Sequence, residues 1–321
     1  MEKDLYFDDN YGKLYEKMEG GKQEIFSFSC EHGTVRHQFI KRAIDGEWFD
    51  LITPYGYGGP VITEATDKEA LVAAFAEAFS KYCLDNKIVS EFVRFHPLAG
   101  NGPDFAPVYG SELIRHTVGT NLAVYDDPVA EEFSKSCRKN IRQAMNKGVT
   151  YTVTQCPDSL DGFMEIYFDT MDRNDATEFY YFDKAYFDQC LAYFRENIIL
   201  IEAVYEEKAI AAGMYFVSAG TLHIHLSGTR REYLHLSPAY ILRYAATVWA
   251  KEHGCTMIHH GGGRSNSEED ALYKFKKQFG KNTQLDFYVG RKIWNQEAYD
   301  LLCEKENADK SSSFFPLYRS V

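Results

Sequence analysis

Hydrophobic and polar positions along the chain follow two different periods, and together they predict a mixed α/β fold. Runs in which apolar residues alternate with polar ones, or fill the whole run, are bounded by turn-forming residues and predict strands. The predicted strands cover residues 24–30, 35–43, 48–52, 88–95, 119–125, 149–154, 198–205, 209–218, 221–227, 256–260 and 283–289. Stretches with apolar residues three and four positions apart predict helices at 67–84, 128–148, 159–172, 183–197, 239–253 and 270–279.

Capping residues mark where several of these helices begin and end. Thr66 or Asp67 can cap the first long helix, and Gly148 stands where a glycine would end the second. Pro238 occupies the favoured first position of a later helix.

The length of 321 residues predicts two domains, at about 150 residues per domain. Because a second set of strands and helices begins at residue 149, we place the domains at 1–148 and 149–321.

Composition and charge narrow the class of protein. Hydrophobic residues make up 45% of the chain and charged residues 26%, which excludes disorder except at the ends. The net charge of −12 and the lack of a long basic run argue against general attraction to nucleic acid or an anionic membrane, although a small local basic site is compatible with them. No apolar stretch is long enough to span a bilayer, and the first residues lack the apolar core of a signal peptide. We therefore expect a cytoplasmic protein.

Cysteine and histidine usage predicts neither disulfides nor a metal site. The seven cysteines have no C-x-x-C spacing and are odd in number, which is typical of reduced thiols. The closely spaced histidines are His223 with His225, and His259 with His260. No companion ligand stands at a metal-binding spacing from either pair. We expect no bound metal.

Four sequence segments carry a family resemblance. They are TPYGYGGP at 53–60, VRFHPL at 93–98, RKNIRQAMNKGV at 138–149, and the block from LSGT to KFKKQFG at 226–280. In this order they resemble the Fem-type (FemAB-like) branch of the GNAT acyltransferase superfamily, which includes peptidoglycan interpeptide-bridge aminoacyltransferases. The order of helices and strands after residue 149 is also that of an acyl-CoA-dependent acetyltransferase domain. The resemblance implies two tandem GNAT-like domains, the second of them an N-acyltransferase domain.

Two departures from this family bear on the acyl donor. The loop that binds the pyrophosphate of coenzyme A in GNAT domains is usually rich in glycine. The equivalent stretch here, 230–239, has no glycine, so only Arg230, Arg231 and the helix start at Ser237 remain as candidate phosphate ligands for an acyl-CoA. The chain also lacks the long coiled-coil insertion of some bridge-forming enzymes, and with the negative charge this makes a tRNA-borne donor less favoured without excluding it.

Acyl transfer to an amine needs stabilisation of an oxyanion and a group that receives a proton. Lys276 matches the lysine that family members place in the cleft between donor and acceptor; alternatively, it belongs to a solvated face with Lys274 and Lys277. His260 is a candidate general base, since neighbouring residues of a strand point to opposite faces, but a structural histidine is the commoner case. Tyr240 and His225 are candidates of similar weight.

Further residues are candidates for substrate binding. Gly262 and Gly263 follow a strand directly and can approach a ligand closely, and Arg264 can pair with a carboxylate or phosphate; a plain loop is the alternative. Arg173 resembles a family arginine that precedes an aromatic cluster, and either binds a substrate carboxylate or forms a structural salt bridge.

The first domain supplies a second set of candidates. Tyr55, Tyr57, Gly58 and Gly59 either line the acceptor site or form a tight structural turn. Together with Arg94 they have no counterpart in simple acetyltransferases, which favours a substrate crevice between two domains.

Basic residues of the segment at 138–149 complete the candidates. Arg138, Lys139 and Arg142 share a helix face that either binds an anionic group or is solvated surface.

The sequence therefore favours an acyltransferase that moves an acyl or aminoacyl group to an amine, on an acceptor related to cell-wall or polysaccharide precursors. The alternative is a degenerate GNAT-fold module that binds a ligand or a protein without acyl-CoA turnover. The glycine-free stretch at 230–239 motivates this alternative.

Overall fold

The structure is a computed structural model that describes residues 4–173 and 181–320. Its strands are β1 (Gly21–Cys30), β2 (Gly33–Asp45), β3 (Trp48–Ile52), β4 (Val61–Ala65), β5 (Ile88–Arg94), β6 (Glu112–Asn121), β7 (Thr150–Gln155), β8 (Ile198–Tyr205), β9 (Lys208–Ser218), β10 (Thr221–Thr229), β11 (Met257–Gly261) and β12 (Gln284–Ile293). Its helices are α1 (Asp9–Leu14), α2 (Glu16–Glu19), α3 (Lys68–Asp85), α4 (Asn101–Asp104), α5 (Ala106–Tyr109), α6 (Pro128–Glu132), α7 (Lys135–Asn146), α8 (Asp161–Arg173), α9 (Lys184–Phe194), α10 (Pro238–Glu252), α11 (Ala271–Lys277) and α12 (Gln296–Lys305). The predicted mixed α/β class is confirmed. Among the described residues, no helix is long and apolar enough to cross a membrane.

The chain divides into two compact units whose borders differ from the predicted ones. Among the described residues, unit 1 comprises Tyr6–Arg115 and 286–320, and unit 2 comprises His116–Leu285 with Asp4 and Leu5. The predicted border at 148/149 lies inside unit 2, because Ile141 of α7 and Val149 beside β7 are buried in the same core as Ile241 of α10. The final part of the chain belongs to unit 1, which no local sequence pattern indicates.

Unit 1 is built on a sheet in the order β1-β2-β3-β5-β12, with β4 paired to β2. All of these pairs are antiparallel except β3 with β5. Asp67 caps α3 by accepting a hydrogen bond from the Ala70 amide, as the sequence predicts. The apolar face of α3, which includes Phe75 and Phe79, is buried in the core of the unit.

Unit 2 is built on a sheet in the order β6-β11-β10-β9-β8-β7. Its strands pair in antiparallel fashion except β10 with β11, which are parallel. Helix α10 begins at Pro238, as predicted, and buries Ile241, Leu242 and Ala245 against the sheet. Thus the sequence pattern of this segment correctly predicts the helix.

Several elements differ from their predicted bounds. The single helix predicted at 128–148 is two helices, because the Ser134 hydroxyl accepts a hydrogen bond from the Cys137 amide and starts α7 anew. The strand predicted at 119–125 is β6, which ends at Asn121 because the Asn121 side chain accepts hydrogen bonds from the next turn. The sequence pattern did not indicate β4 or α12, and all seven cysteines are free thiols.

Candidate functional site

The candidate site of unit 2 lies where β10 and β11 stop pairing. Their parallel register covers only three residue pairs and ends at His223 and His259, although β10 continues to Thr229. At this point both strands carry a bulge on their other partners, between Ile224 and Leu226 in β10 and between His259 and Gly261 in β11. Because a bulge re-aims a side chain and disrupts the ladder, the end of β11 becomes a place where side chains can converge.

The two adjacent histidines of β11 have different partners on the two faces of the sheet. The ring of His259 lies 2.9 Å from the Thr117 hydroxyl, and the ring of His260 lies 2.8 Å from the Thr120 hydroxyl. Thr117 and Thr120 are three positions apart on β6 and therefore point to opposite faces. The sequence correctly predicts that each histidine serves one face.

Hydrogen bonds fix the tautomer of His260. The Thr120 hydroxyl donates its single proton to the Phe279 carbonyl at 2.6 Å, so Nε2 of His260 must donate to Thr120. Nδ1 therefore carries the lone pair. It is buried and has no hydrogen-bond partner among the described residues. Burial lowers the pKa of His260 well below its usual value, and the charges of Arg243 and Lys276 lower it further. His260 is thus a neutral hydrogen-bond acceptor at neutral pH and a weak base.

Arg243, which no sequence motif indicates, is a buried cation beside this histidine. Its side chain on α10 is 6% exposed, and it donates to the Tyr215 hydroxyl at 3.2 Å. A side chain at Gly213 would lie 2.2 Å from that hydroxyl, so the glycine makes the contact possible. The Nε atom of Arg243 has no partner within the described part of the chain. A lone arginine in the apolar stretch 238–250 is the signal that would have revealed it.

Lys276 and Asp270 hold the glycine loop that follows β11. The Lys276 ammonium donates to the Gly262 carbonyl at 2.7 Å. Asp270 caps α11 through the Tyr273 amide and accepts from the backbone amides of Arg264 and Ser265. Hydrogen bonds from these groups, that of Tyr273 being the strongest, lower the pKa of Asp270 to about 2. The loop is therefore ordered by its own residues.

Tyr240 lies in the same neighbourhood. Its ring centroid is 5.6 Å from that of Phe279, and the His260 ring is 5.9 Å from the same phenylalanine. Among the described residues, the Tyr240 hydroxyl donates one long hydrogen bond of 3.4 Å, to Gln278. The structure thus groups Tyr240, His260 and Lys276 around the end of α11, while their catalytic roles stay predictions.

Two arginines of unit 2 that are predicted to bind substrate differ in whether their guanidinium groups already have partners. The Arg173 guanidinium donates to the Thr229 carbonyl at 2.6 Å and lies 3.9 Å from Asp169. Of the aromatic cluster expected after it, at 179–182, residues 179 and 180 lie outside the described residues. Arg264 is exposed, and its guanidinium has no partner in the regions that the structure describes. Of these two arginines, Arg264 is therefore the one available to an anionic ligand.

The segment predicted to bind the pyrophosphate of an acyl-CoA is poorly shaped for it. Residues Arg231–Leu236 form a 3-10 helix, which uses backbone amides internally, such as Ser237 to the Leu234 carbonyl at 3.0 Å. Ser237 has a φ of +55°, makes no side-chain cap on α10, and precedes a proline that has no N–H. Arg230 donates to the Ala209 carbonyl, whereas Arg231 is exposed. The residues present do not provide the usual backbone cradle for coenzyme A.

The predicted acceptor loop of unit 1 is a tightly bonded turn. The Gly58 amide donates to the Arg94 carbonyl at 2.8 Å, and the Asn101 side chain donates to the carbonyls of Gly58 and Pro60. Gly59 has a φ of +82°, and a side chain there would lie 2.8 Å from Val93.

The polar side chains and rings around this turn are bonded inside unit 1 as well. The guanidinium of Arg94 bonds Thr53 and Glu19. Tyr55 accepts a hydrogen bond on its carbonyl from Tyr11, and the Tyr57 ring packs against Phe287. These contacts favour the structural interpretation of the loop, and an acceptor-binding role stays a prediction.

Comparison with known proteins supports the resemblance. Residues 133–277 match the model of the acetyltransferase (GNAT) domain. A segment of 100 residues is 28% identical to the lipid II:glycine glycyltransferase of Staphylococcus saprophyticus, covering 30% of this chain and 24% of that protein. The match therefore spans about a quarter of the relative's length.

Two solved structures share the fold. The crystal structure of FemX superimposes with a TM-score of 0.70 at 14% identity, over 94% of each chain. A tandem GNAT protein from the clavulanic acid biosynthesis pathway superimposes with a TM-score of 0.50 at 9% identity, over 89% of this chain and 96% of that one. The predicted tandem GNAT architecture is thereby confirmed.

Proposed function

We propose that the chain is a GNAT-superfamily protein of the Fem-type branch, and that it is an N-acyltransferase that transfers an acyl or aminoacyl group to an amine on a cell-wall precursor. The GNAT match over residues 133–277 and the relative named as a lipid II:glycine glycyltransferase support this proposal. The observation that carries it is the grouping of His260 and Lys276 at the point where β10 and β11 separate. This grouping places a hydrogen-bond acceptor and a cation at the end of β11.

In the proposed reaction, the acceptor amine attacks the carbonyl carbon of the donor directly. A nitrogen–carbon bond forms, and the carbon–sulfur or carbon–oxygen bond of the donor breaks. The Lys276 ammonium stabilises the negative charge that develops on the carbonyl oxygen. Nδ1 of His260 accepts a hydrogen bond from the amine and orients its lone pair. Because the pKa of His260 is lowered, the departing sulfur or oxygen of the donor takes up the proton that the amine loses.

We assign no step to coenzyme A, because residues 230–239 do not form its usual cradle. The donor is therefore an activated acyl or aminoacyl ester or thioester bound mainly through other groups. Arg231 and Arg264 are exposed cations that suit its phosphate or carboxylate groups.

A second candidate function follows from the same loop. A GNAT-fold module that has lost donor binding would keep the core of unit 2 and lose the phosphate cradle, as observed at 230–239. Such a module would bind a ligand or a protein without turnover.

Turnover of lipid II with two donors tests the proposal. The full chain is incubated with lipid II and either glycyl-tRNA or acetyl-CoA, and acylated product is measured by mass spectrometry. Acetyl-CoA binding is measured separately by calorimetry. Product with either donor supports the acyltransferase, whereas no product together with no acetyl-CoA binding favours the module.

A matched pair of lysine variants tests the role of Lys276. Lys276→Ala removes the cation that contacts the Gly262 carbonyl, and Lys274→Ala removes an exposed lysine of the same helix that pairs with Glu269. We expect Lys276→Ala to lower kcat about 100-fold, as for loss of one oxyanion-stabilising group, and Lys274→Ala to have little effect. Equal activity of the two variants would show that Lys276 has no catalytic role.

A further inference from the structure

Helix α7 is a local concentration of positive charge in an acidic chain. The chain carries a net charge of −12, yet residues 134–149 contain five basic residues and no acidic one. These basic residues are Lys135, Arg138, Lys139, Arg142 and Lys147. The charge of this segment is therefore opposite to that of the protein as a whole.

The helix presents its cations on one face. Lys135, Lys139 and Arg142 follow a spacing of four and three residues, which places them in one row on the face opposite the buried Cys137 and Ile141. All three are exposed, and none forms an ion pair with the residues that the structure describes. This row is about 10 Å long. We call it, together with Met145, the α7 face.

The two remaining cations of residues 134–149 are used inside the protein. Arg138 donates to the carbonyls of Ala130 and Phe133, which holds α6 beside α7. Lys147 donates to the His235 carbonyl at 3.3 Å, which places the 3-10 helix Arg231–Leu236 at the end of α7. The row of three is thus distinct from the cations that stabilise the fold.

Exposed apolar side chains accompany this charge. Met145 on α7 is 39% exposed, and Leu234 on the neighbouring 3-10 helix is 49% exposed. The same 3-10 helix adds the exposed Arg231 and one exposed acid, Glu232. A surface that combines clustered cations with exposed apolar side chains is typical of attachment to a lipid–water interface.

We propose that the α7 face attaches the protein reversibly to the surface of an anionic lipid bilayer. This inference rests on the proposed function, because attachment would bring the site of unit 2 to an acceptor that is carried by a lipid. Met145 and Leu234 favour a bilayer over nucleic acid, as does the lack of any aromatic side chain on α7 for base stacking.

The attachment is weak and depends on salt. One cation near an anionic surface raises the membrane partition coefficient about fivefold, so the row of three raises it roughly 100-fold. The negative charge of the rest of the chain opposes this attraction. Screening acts over about 10 Å at 0.1 M salt, so raising the salt concentration should release the protein.

Vesicle flotation with two charge-matched variants tests the inference. The test variant is K135Q/K139Q/R142Q, which neutralises the row. The control is K81Q/K87Q/K184Q, which removes three exposed lysines that are paired with acids elsewhere. Both variants lower the net charge by the same three units. R142Q alone serves as a milder variant, and thermal unfolding confirms that each protein is folded.

We expect the protein and the control to float with phosphatidylglycerol vesicles at 50 mM salt, and not with phosphatidylcholine vesicles. The membrane partition coefficient should fall roughly 100-fold in the test variant and about fivefold in R142Q. Equal flotation with both lipids, or equal loss in both triple variants, would overturn the inference. If the test variant loses binding to a transfer RNA but floats as well as the unaltered protein, the α7 face binds nucleic acid instead.

The flotation assay needs neither an acyl donor nor turnover. It therefore tests membrane attachment independently of the proposed function. Flotation of a protein that gives no product with lipid II and does not bind acetyl-CoA would support the α7 face and count against the acyltransferase. Turnover without flotation would refute the α7 face alone.

Discussion

Glu132 is a fully buried carboxylate that accepts hydrogen bonds from several segments of unit 2. Its side chain is 0% exposed and accepts hydrogen bonds from the backbone amides of Asn121 at 3.2 Å and Asn282 at 3.0 Å. It also accepts from the Thr283 hydroxyl. The Glu132 carbonyl accepts from the Lys281 amide at 2.9 Å. One residue therefore joins the end of α6, the end of β6 and the turn that follows α11.

Glu132→Gln changes only the charge and one acceptor atom. Oε1 accepts from Asn121 and Thr283, and Oε2 accepts from Asn282. The amide nitrogen must replace one of these oxygens, so at least one buried donor loses its acceptor and faces another donor. An unsatisfied buried donor costs about 1–3 kcal/mol, and the remaining hydrogen bonds lose the strength that the charge gives them. We expect unit 2 to lose about 2–4 kcal/mol.

Urea unfolding measures this loss against a neighbouring control. Glu131 is exposed, so Glu131→Gln removes the same charge from the adjacent position without burial. The control should change the free energy of unfolding by less than about 0.5 kcal/mol. The melting temperature of Glu132→Gln should fall by about 5–12 °C. If both variants lose the same free energy, or Glu132→Gln loses less than about 1 kcal/mol, the carboxylate does not hold these segments together.

Three further predictions concern other titratable groups. Because the pKa of His260 is lower in the folded state than in the unfolded chain, the unfolded chain binds the extra proton below about pH 6.5. Stability should then fall by about 1.4 kcal/mol per pH unit on acidification, and urea unfolding of His260→Asn should show a flatter pH profile. Asp270 has a folded pKa of about 2, so its stabilisation is present above about pH 4 and is lost as the pH falls towards 2. Asp270→Asn should remove it at neutral pH and expose residues 263–265 to proteolysis. The buried Asp50 pairs with Arg42 and Arg319, so Asp50→Asn should cost about 3 kcal/mol and increase hydrogen exchange at 314–320.

Local patterns predict the elements whose ends and faces are set by nearby residues. Helix α3 follows from the Asp67 cap and from apolar residues that return at helical spacing to Phe75 and Phe79. The start of α10 at Pro238 follows in the same way. In each case the residues that decide the structure lie within a few positions of one another, so the sequence alone contains the necessary information.

Features set by distant residues are not predictable in this way. The break at Ser134 occurs inside a continuous helical pattern, and the Ser134 amide bonds the carbonyl of Gln278, far along the chain. The return of the chain after residue 285 to unit 1 depends on the pairing of β12 with β5. No local sequence pattern indicates either of these features.

The candidate site also has some features that local sequence patterns predict and others that depend on distant residues. The family motif points to Lys276, and the alternation of a strand places His260 on one face. The bulge at His260 and the neighbouring Arg243 depend on how β6, β11 and α10 pack together. A histidine that the sequence suggests as an ordinary base is therefore found in an environment that changes its chemistry.

The environment of His260 affects two requirements of the proposed reaction, which are stabilisation of the oxyanion and removal of the amine proton. Lys276 and Arg243 create a positive potential at His260, in a region screened little by water. The same potential that stabilises a developing oxyanion also disfavours a proton on the histidine, so one group cannot be a strong base beside the other. His260 consequently serves best as a neutral acceptor fixed by Thr120, and the proton of the amine must leave with the donor's departing group. A donor with a basic leaving oxygen should then react faster than its intrinsic reactivity suggests, because that oxygen supplies the base that this site lacks.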